Sequence, residues 1–153
     1  MSSAFDTIDR QILLNTLQHI VNTDEHTIIQ YLLANTTLNI SCNTLSTSIT
    51  TNIGTPQGDS ISPILFIVYL EAALRELRPK LSPSTFVSPN ELIYADDCDI
   101  IFDTRAEAES SVPIIVESLK AFNLQVNASK TEFTTVDRTA EDWKKLKKIR
   151  NSP

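Results

Sequence analysis

The chain has 153 residues, enough for one domain with its own core, and 41% of them are hydrophobic. Its net charge of −6 sets it apart from free-standing nucleic-acid binders, which carry a basic footprint. The two cysteines, Cys42 and Cys98, lie in no C-x-x-C pair and no Cys/His cluster, which argues against a disulfide framework or a zinc site; both read as small core residues in a reducing compartment.

The chain begins without the basic start and apolar run of a secretory signal. Its longest apolar stretch, Ile61 to Leu70, contains Ser62 and Pro63 and falls short of the roughly 20 residues that span a bilayer. An intracellular protein, cytoplasmic or nuclear, with no membrane partner is expected. In chain order, Asp6-Thr7 reads as a helix start, with Ile8, Ile12, Leu13, Leu17 and Ile20 near a 3.6-residue period. Asp24 reads as the N-cap of a second helix running to about Ala34. Thr36 to Ile53 carries no charge, and Leu38, Ile40 and Cys42 alternate with polar residues. That alternation predicts a hairpin turning near Asn43-Thr44 rather than a low-complexity stretch.

Gly54 to Pro63 reads as a loop, followed by a long helix that ends before Pro79. Ile61, Ile64, Leu65, Val68 and Ala72 mark one face, and Phe66, Ile67 and Leu70 extend the apolar surface, so burial on most sides is expected. Pro79 to Pro89 reads as a connector. Strands at Leu92–Ala95 and Cys98–Phe102 are predicted to join at Asp96-Asp97. A helix from Arg105 to Phe122 bends at Pro113. Short strands follow at Leu124–Val126 and Glu132–Val136, and a last helix starts at Thr139. Lys144, Lys145, Lys147, Lys148 and Arg150 form the one basic cluster, which in isolation is a solvated helix face. Helices mixed with hairpins, without βαβ regularity, predict an α+β fold with an antiparallel sheet packed on helices.

The most informative feature is a pair of carboxylates between apolar strands. Asp96 and Asp97 resist burial, whereas Leu92-Ile93-Tyr94-Ala95 and Ile100-Ile101-Phe102 are expected to require it. Such a turn suits a hard divalent cation, although aspartates are also ordinary turn residues. Tyr94-Ala95-Asp96-Asp97 resembles motif C of reverse transcriptases, whose aspartates bind the catalytic metals. Gly54-Thr55-Pro56-Gln57-Gly58-Asp59-Ser60-Ile61-Ser62-Pro63 resembles motif B of that family and holds both glycines of the chain. A chain so sparing with glycine places it where backbone turns sharply or approaches a ligand. Leu124-Gln125-Val126-Asn127-Ala128-Ser129-Lys130-Thr131 resembles motif D, and Ser3-Ala4-Phe5-Asp6-Thr7-Ile8 the second half of motif A. The motifs stand in the family's order across nearly the whole chain, and their wording is most similar to non-LTR, LINE-type retrotransposon enzymes.

The resemblance implies an RNA-directed DNA polymerase that uses RNA template, DNA primer, dNTP and Mg²⁺, with Mn²⁺ as a substitute. It implies metal binding by Asp96 and Asp97. It implies nucleotide contacts by Phe5, Gln57 and Gly58, and a general-acid role for Lys130. It implies a partial palm at residues 1–137 and the start of the thumb connection at 138–153, without fingers or most of the thumb. That would account for the acidic balance. By the same register the metal-binding aspartate of motif A falls just before Met1, so the fragment alone is expected to be inactive. The alternative is a non-catalytic, retrotransposon-derived relic or interaction module with a palm fold. A nucleotide cyclase of palm type is disfavoured by Pro56-Gln57-Gly58.

Overall fold

A computed structural model of the chain describes residues 4–34, 36–43, 45–56, 58–81 and 91–135. A short 3-10 helix at Ala4–Asp6 leads into α1 (Arg10–Leu17) and α2 (Thr23–Leu33). Next come the hairpin β1 (Thr36–Cys42) and β2 (Leu45–Thr51), then the long α3 (Ser62–Leu77). A second hairpin, β3 (Glu91–Tyr94) and β4 (Asp97–Ile100), precedes α4 (Arg105–Lys120). The α+β class is as expected. Among the described residues, however, the strands form two separate two-stranded antiparallel sheets.

The centre of the fold is α3. Its buried positions are Ser62, Leu65, Phe66, Tyr69, Leu70, Ala73, Leu74 and Leu77, an i, i+3, i+4 stripe that packs against α1 and α4. Each large apolar side chain on it contributes about 1.5–3 kcal/mol by leaving water. The expected face holds in part: Leu65 is buried and Ile61, Val68 and Ala72 are half-buried, but Ile64 is 60% exposed. Phe66 and Leu70 are buried as expected, whereas Ile67 is also 60% exposed, so burial does not extend to most sides of the helix. Ile8, Leu13 and Leu17 complete the core from the first segment, and Leu33, Leu119 and Leu124 from elsewhere.

Local signals account for the element ends. Asp9, not Asp6, caps α1: its Oδ1 accepts from Gln11 N at 2.8 Å and Ile12 N at 3.1 Å. Asn22, not Asp24, caps α2 in a reciprocal pair with Glu25. Thr104 and Glu107 form the same capping box on α4, which runs continuously through Pro113. Asn123, at φ 53°, ends α4 in the left-handed region, and Leu124 N then donates to Leu119 O at 3.0 Å.

The β1–β2 hairpin follows the expected register, with Leu38 opposite Ile49 and Cys42 opposite Leu45. Cys42 is exposed, which corrects its placement in the core; Cys98 is half-buried and packs against it. No strand forms at Leu124–Val126, because Leu124 is drawn into the core directly from the end of α4, and none forms over Glu132 to Thr135. Val136, the helix expected from Thr139, the basic cluster and the boundary at 137/138 lie outside the described residues, as do Gln57 and most of the connector before β3.

Candidate functional site

The acidic hairpin turns one residue earlier than the sequence predicts. Asp97 is already in β4, opposite Tyr94, so the two turn residues are Ala95 and Asp96. Ala95 takes φ 54°, a conformation that costs a non-glycine residue about 1–2 kcal/mol. Strain of this kind persists only where the surroundings impose it, and it lies immediately before Asp96. Asp96 is half-buried in the turn and Asp97 is exposed.

The register divides the hairpin into two faces. Cys98 and Ile100 point to the core, whereas Leu92, Tyr94, Asp97 and Asp99 share the opposite face. The burial expected of Leu92 to Ala95 is thus not found, and Tyr94 is 84% exposed, because β4 supplies the hairpin's contacts with the core. The hairpin is held to the end of α3 by Arg78, whose guanidinium spans Glu71 and Glu91. Arg78 Nη2 donates to Glu71 Oε2 at 2.8 Å and Nε to Glu91 Oε1 at 2.7 Å, with a further short contact from Nη2 to Glu91. These bonds hold the Glu71 carboxyl at about 2, well below the usual carboxylate range. Burial pushes the Cys98 thiol up to about 11, so at neutral pH it remains an unreactive thiol.

The glycine loop rests on the first segment of the chain. Gly54 N donates to Ile8 O at 2.8 Å, and Thr55 N to Phe5 O at 2.9 Å. Gly54 sits at φ 72°, and a Cβ there would lie 2.9 Å from Asp6 Cα, Asp6 O and Phe5 O. Gly58, at φ 88°, is different: among the described residues nothing lies within 4 Å of where its Cβ would be. Gly54 is therefore required by close backbone approach, and Gly58 by its turn alone within this chain. Ser62 Oγ donates to Pro56 O at 2.6 Å and ties the loop to the start of α3. Thr55 Oγ1 is buried without a partner among the described residues.

Phe5 stacks on Phe66 of α3, with centroids 4.5 Å apart and an interplanar angle of 27°. Lys130 is exposed at the end of a turn organised by Asn127, whose carbonyl accepts from Lys130 N at 3.0 Å. The segments resembling motifs A and B are thus in direct contact. The hairpin that carries the motif C segment is tied to α3 through Glu91 and Arg78, and Leu124, at the start of the motif D segment, joins the core.

Two residues that the sequence reading did not single out organise these contacts. Arg10 is 8% exposed and donates to four backbone carbonyls: Gly54 at 2.7 Å, Leu33 at 2.6 Å, Thr51 at 2.8 Å and Ile53 at 3.1 Å. Burial lowers its pKa from the ordinary arginine value. Tyr69 is fully buried; its hydroxyl accepts from Asp9 N at 3.2 Å and donates to Phe122 O at 2.7 Å. Burial raises its pKa. A signal for both was present, since Arg10, Leu13 and Leu17 share one helical stripe, as do Leu65, Tyr69 and Ala73.

Asp96 and Asp97 provide two neighbouring carboxylates, a donor set that fits a hard divalent cation completing its shell with phosphate oxygens and water. Among the described residues, no group of three or more His, Cys, Asp or Glu side chains converges on a common ligand position. None of the described helices is long and apolar enough to cross a membrane. No curated protein matches the chain. The model of one family, described as reverse transcriptase (RNA-dependent DNA polymerase), matches residues 1–149. The chain thus belongs to the reverse transcriptase family, whose general activity is RNA-directed DNA synthesis.

Proposed function

We propose that this chain is the palm part of a non-LTR, LINE-type reverse transcriptase, and that it binds metal and dNTP at the Ala95–Asp97 turn. The observation that carries the reading is this strained acidic turn, which opens on the solvent face of a hairpin clasped to α3. Asp96 is the principal metal ligand and Asp97 the second. Bound Mg²⁺ would neutralise phosphate charge during transfer of a nucleotidyl group to a primer 3′-hydroxyl.

The chain's own residues then orient the nucleotide. Gly58 lets the backbone approach it, because the space beside its Cα is open. Phe5 is held by Phe66 under the position assigned to the sugar. Lys130 Nζ, at an exposed site, donates a proton to the departing pyrophosphate. Gln57 is assigned the neighbouring contact by the resemblance. RNA template and DNA primer are the partners, in an intracellular setting.

A two-metal clamp needs a carboxylate beyond Asp96 and Asp97, and the described residues converge no such third ligand. This favours a second reading, in which the isolated chain is a non-catalytic relic with a palm fold. Two measurements separate the readings. Mn²⁺ titration should show binding that Asp96→Asn loses; equal weak binding by both would remove the metal site. Primer extension on poly(rA)–oligo(dT) should fail for the chain alone and appear when a segment carrying a further carboxylate is supplied. Robust synthesis by the chain alone would refute the need for that carboxylate, and no synthesis in either case would favour the relic.

A further inference from the structure

We infer that Arg10 is the positioning residue for the glycine loop, a clasp that fixes Gly54 and through it the path to Gly58 and α3. The inference rests on the functional reading of that loop. Its geometric part stands independently of it.

Arg10 opens α1, on the helix stripe that faces the core with Leu13 and Leu17. An arginine on a core stripe is expensive unless its donors are satisfied. Here they are satisfied by main-chain carbonyls from three parts of the chain. Leu33 O is the carbonyl at the end of α2, where the helix dipole is negative and a cation is favoured. Thr51 O ends β2, and Ile53 O and Gly54 O lie in the link from β2 into the glycine loop. A guanidinium offers five donors in a fixed plane, so accepting partners set along its rim are held at fixed mutual positions. A lysine ammonium, with three donors on one atom, cannot reproduce that spread.

Other bonds also shape the loop, among them Ile61 N to Asp59 Oδ1 at 3.2 Å. Among the described residues, buried Thr55 Oγ1 has no hydrogen-bond partner, so its hydroxyl adds no anchor there. The backbone anchors are Gly54 N to Ile8 O and Thr55 N to Phe5 O. Both acceptors lie in the short segment just before Arg10, while the Arg10 side chain grips Gly54 O. Gly54 is therefore held from both its amide and its carbonyl side. Beyond it, Ser62 Oγ holds Pro56 O, and the open turn at Gly58 lies between these two fixed points. Arg10 touches neither metal nor nucleotide in this scheme; it acts through the backbone of the loop that does.

The test is amide hydrogen exchange by NMR on the full chain, comparing wild type with Arg10→Lys. Protection at Gly54 N and Thr55 N should fall by at least about tenfold, the equivalent of one lost charged hydrogen bond. Amides in the middle of α3, such as Leu70, should change much less. Equal loss at all three positions would show that Arg10 contributes only global stability, and unchanged protection at Gly54 would show that it does not hold the loop; either result overturns the inference. Should Arg10→Lys fail to fold, wild type still decides: Arg10 Nε–H should exchange slowly and its Nη protons should give separate resonances, whereas a single averaged, rapidly exchanging set overturns the clasp. In parallel, equilibrium dNTP binding should weaken in Arg10→Lys. Absence of dNTP binding by wild type would refute the nucleotide role of the loop, while the exchange pattern still decides the clasp.

Discussion

The two glycines of this chain can be separated experimentally, because the structure gives them different reasons for being glycine. Both lie at positive φ, so alanine at either pays a left-handed penalty of about 1–2 kcal/mol, offset by about 0.5–1 kcal/mol of chain entropy that glycine loses on folding. That is the whole cost expected for Gly58→Ala, about 0.5–1 kcal/mol, since its Cβ meets nothing within 4 Å. Gly54→Ala adds a methyl 2.9 Å from three backbone atoms of Phe5 and Asp6, which cannot rotate away. The backbone shift costs about a further 1–3 kcal/mol, for a total of about 1.5–4 kcal/mol. Urea denaturation with unchanged m-values measures both. The functional order should be reversed in kind: Gly58→Ala should retain the fold but, under the proposed function, weaken dNTP binding by about tenfold or more, because that proposal puts the nucleotide in the space its methyl would fill. Equal destabilisation by the two substitutions would refute the structural argument. Unchanged dNTP affinity in Gly58→Ala would refute the assignment of that space to the nucleotide.

Ala95→Gly should stabilise the chain by about 0.5–1 kcal/mol in the same assay, by relieving the left-handed strain at the acidic turn; a loss of stability would mean the turn is not strained. Tyr69→Phe leaves Asp9 N and Phe122 O without their buried partner and should cost about 2–4 kcal/mol by urea denaturation, with less than about 0.5 kcal/mol contradicting the bridge. Thr55→Val replaces an unpartnered buried hydroxyl with a methyl of the same shape and should raise stability by about 1 kcal/mol, seen as a higher denaturation midpoint at unchanged m-value.

Much of the architecture was legible because apolar period and turn chemistry are local. The α3 helix, both hairpins and the capped start of α4 follow directly from that patterning. The errors share a cause, which is competition between equally good local signals settled by distant contacts. Asp6, Asp9, Asn22 and Asp24 are all good caps. Asp9 prevails over Asp6 because Ala4–Asp6 is held against Gly54 and Thr55, in a part of the chain far along the sequence. The strand expected at Leu124–Val126 had alternating apolar residues, but Leu124 is claimed by the core as α4 ends. The hairpin turn moved by one residue because Ala95 accepts a conformation that its residue type disfavours. The role of Arg10 could not be read from spacing alone, since its acceptors are backbone atoms 23 to 44 residues away.

Two arginines clasp the two halves of the candidate site, and their chemistry predicts that the halves will respond differently to solution conditions. Arg10 is buried and grips neutral carbonyls, so neither carboxylate protonation nor salt should reach it. Arg78 and Glu71 are each 39% exposed, and that clasp depends on carboxylates. The Glu71 pKa is depressed from 4.5 to about 2 in the folded chain. Its contribution is therefore fully present above about pH 4.5 and is lost as pH falls towards 2. Solvent screening limits that contribution to about 1 kcal/mol, and salt reduces it further. Hydrogen exchange followed from neutral pH to pH 3, after correction for the intrinsic rate, should show protection falling first at the β3–β4 amides, while Gly54 and Thr55 keep theirs. Glu71→Gln should remove most of that pH dependence at the hairpin. Parallel loosening of hairpin and loop would mean that Arg78 does not hold the acidic turn separately. In that case the two halves of the site would be joined by a coupling that runs through α3 itself.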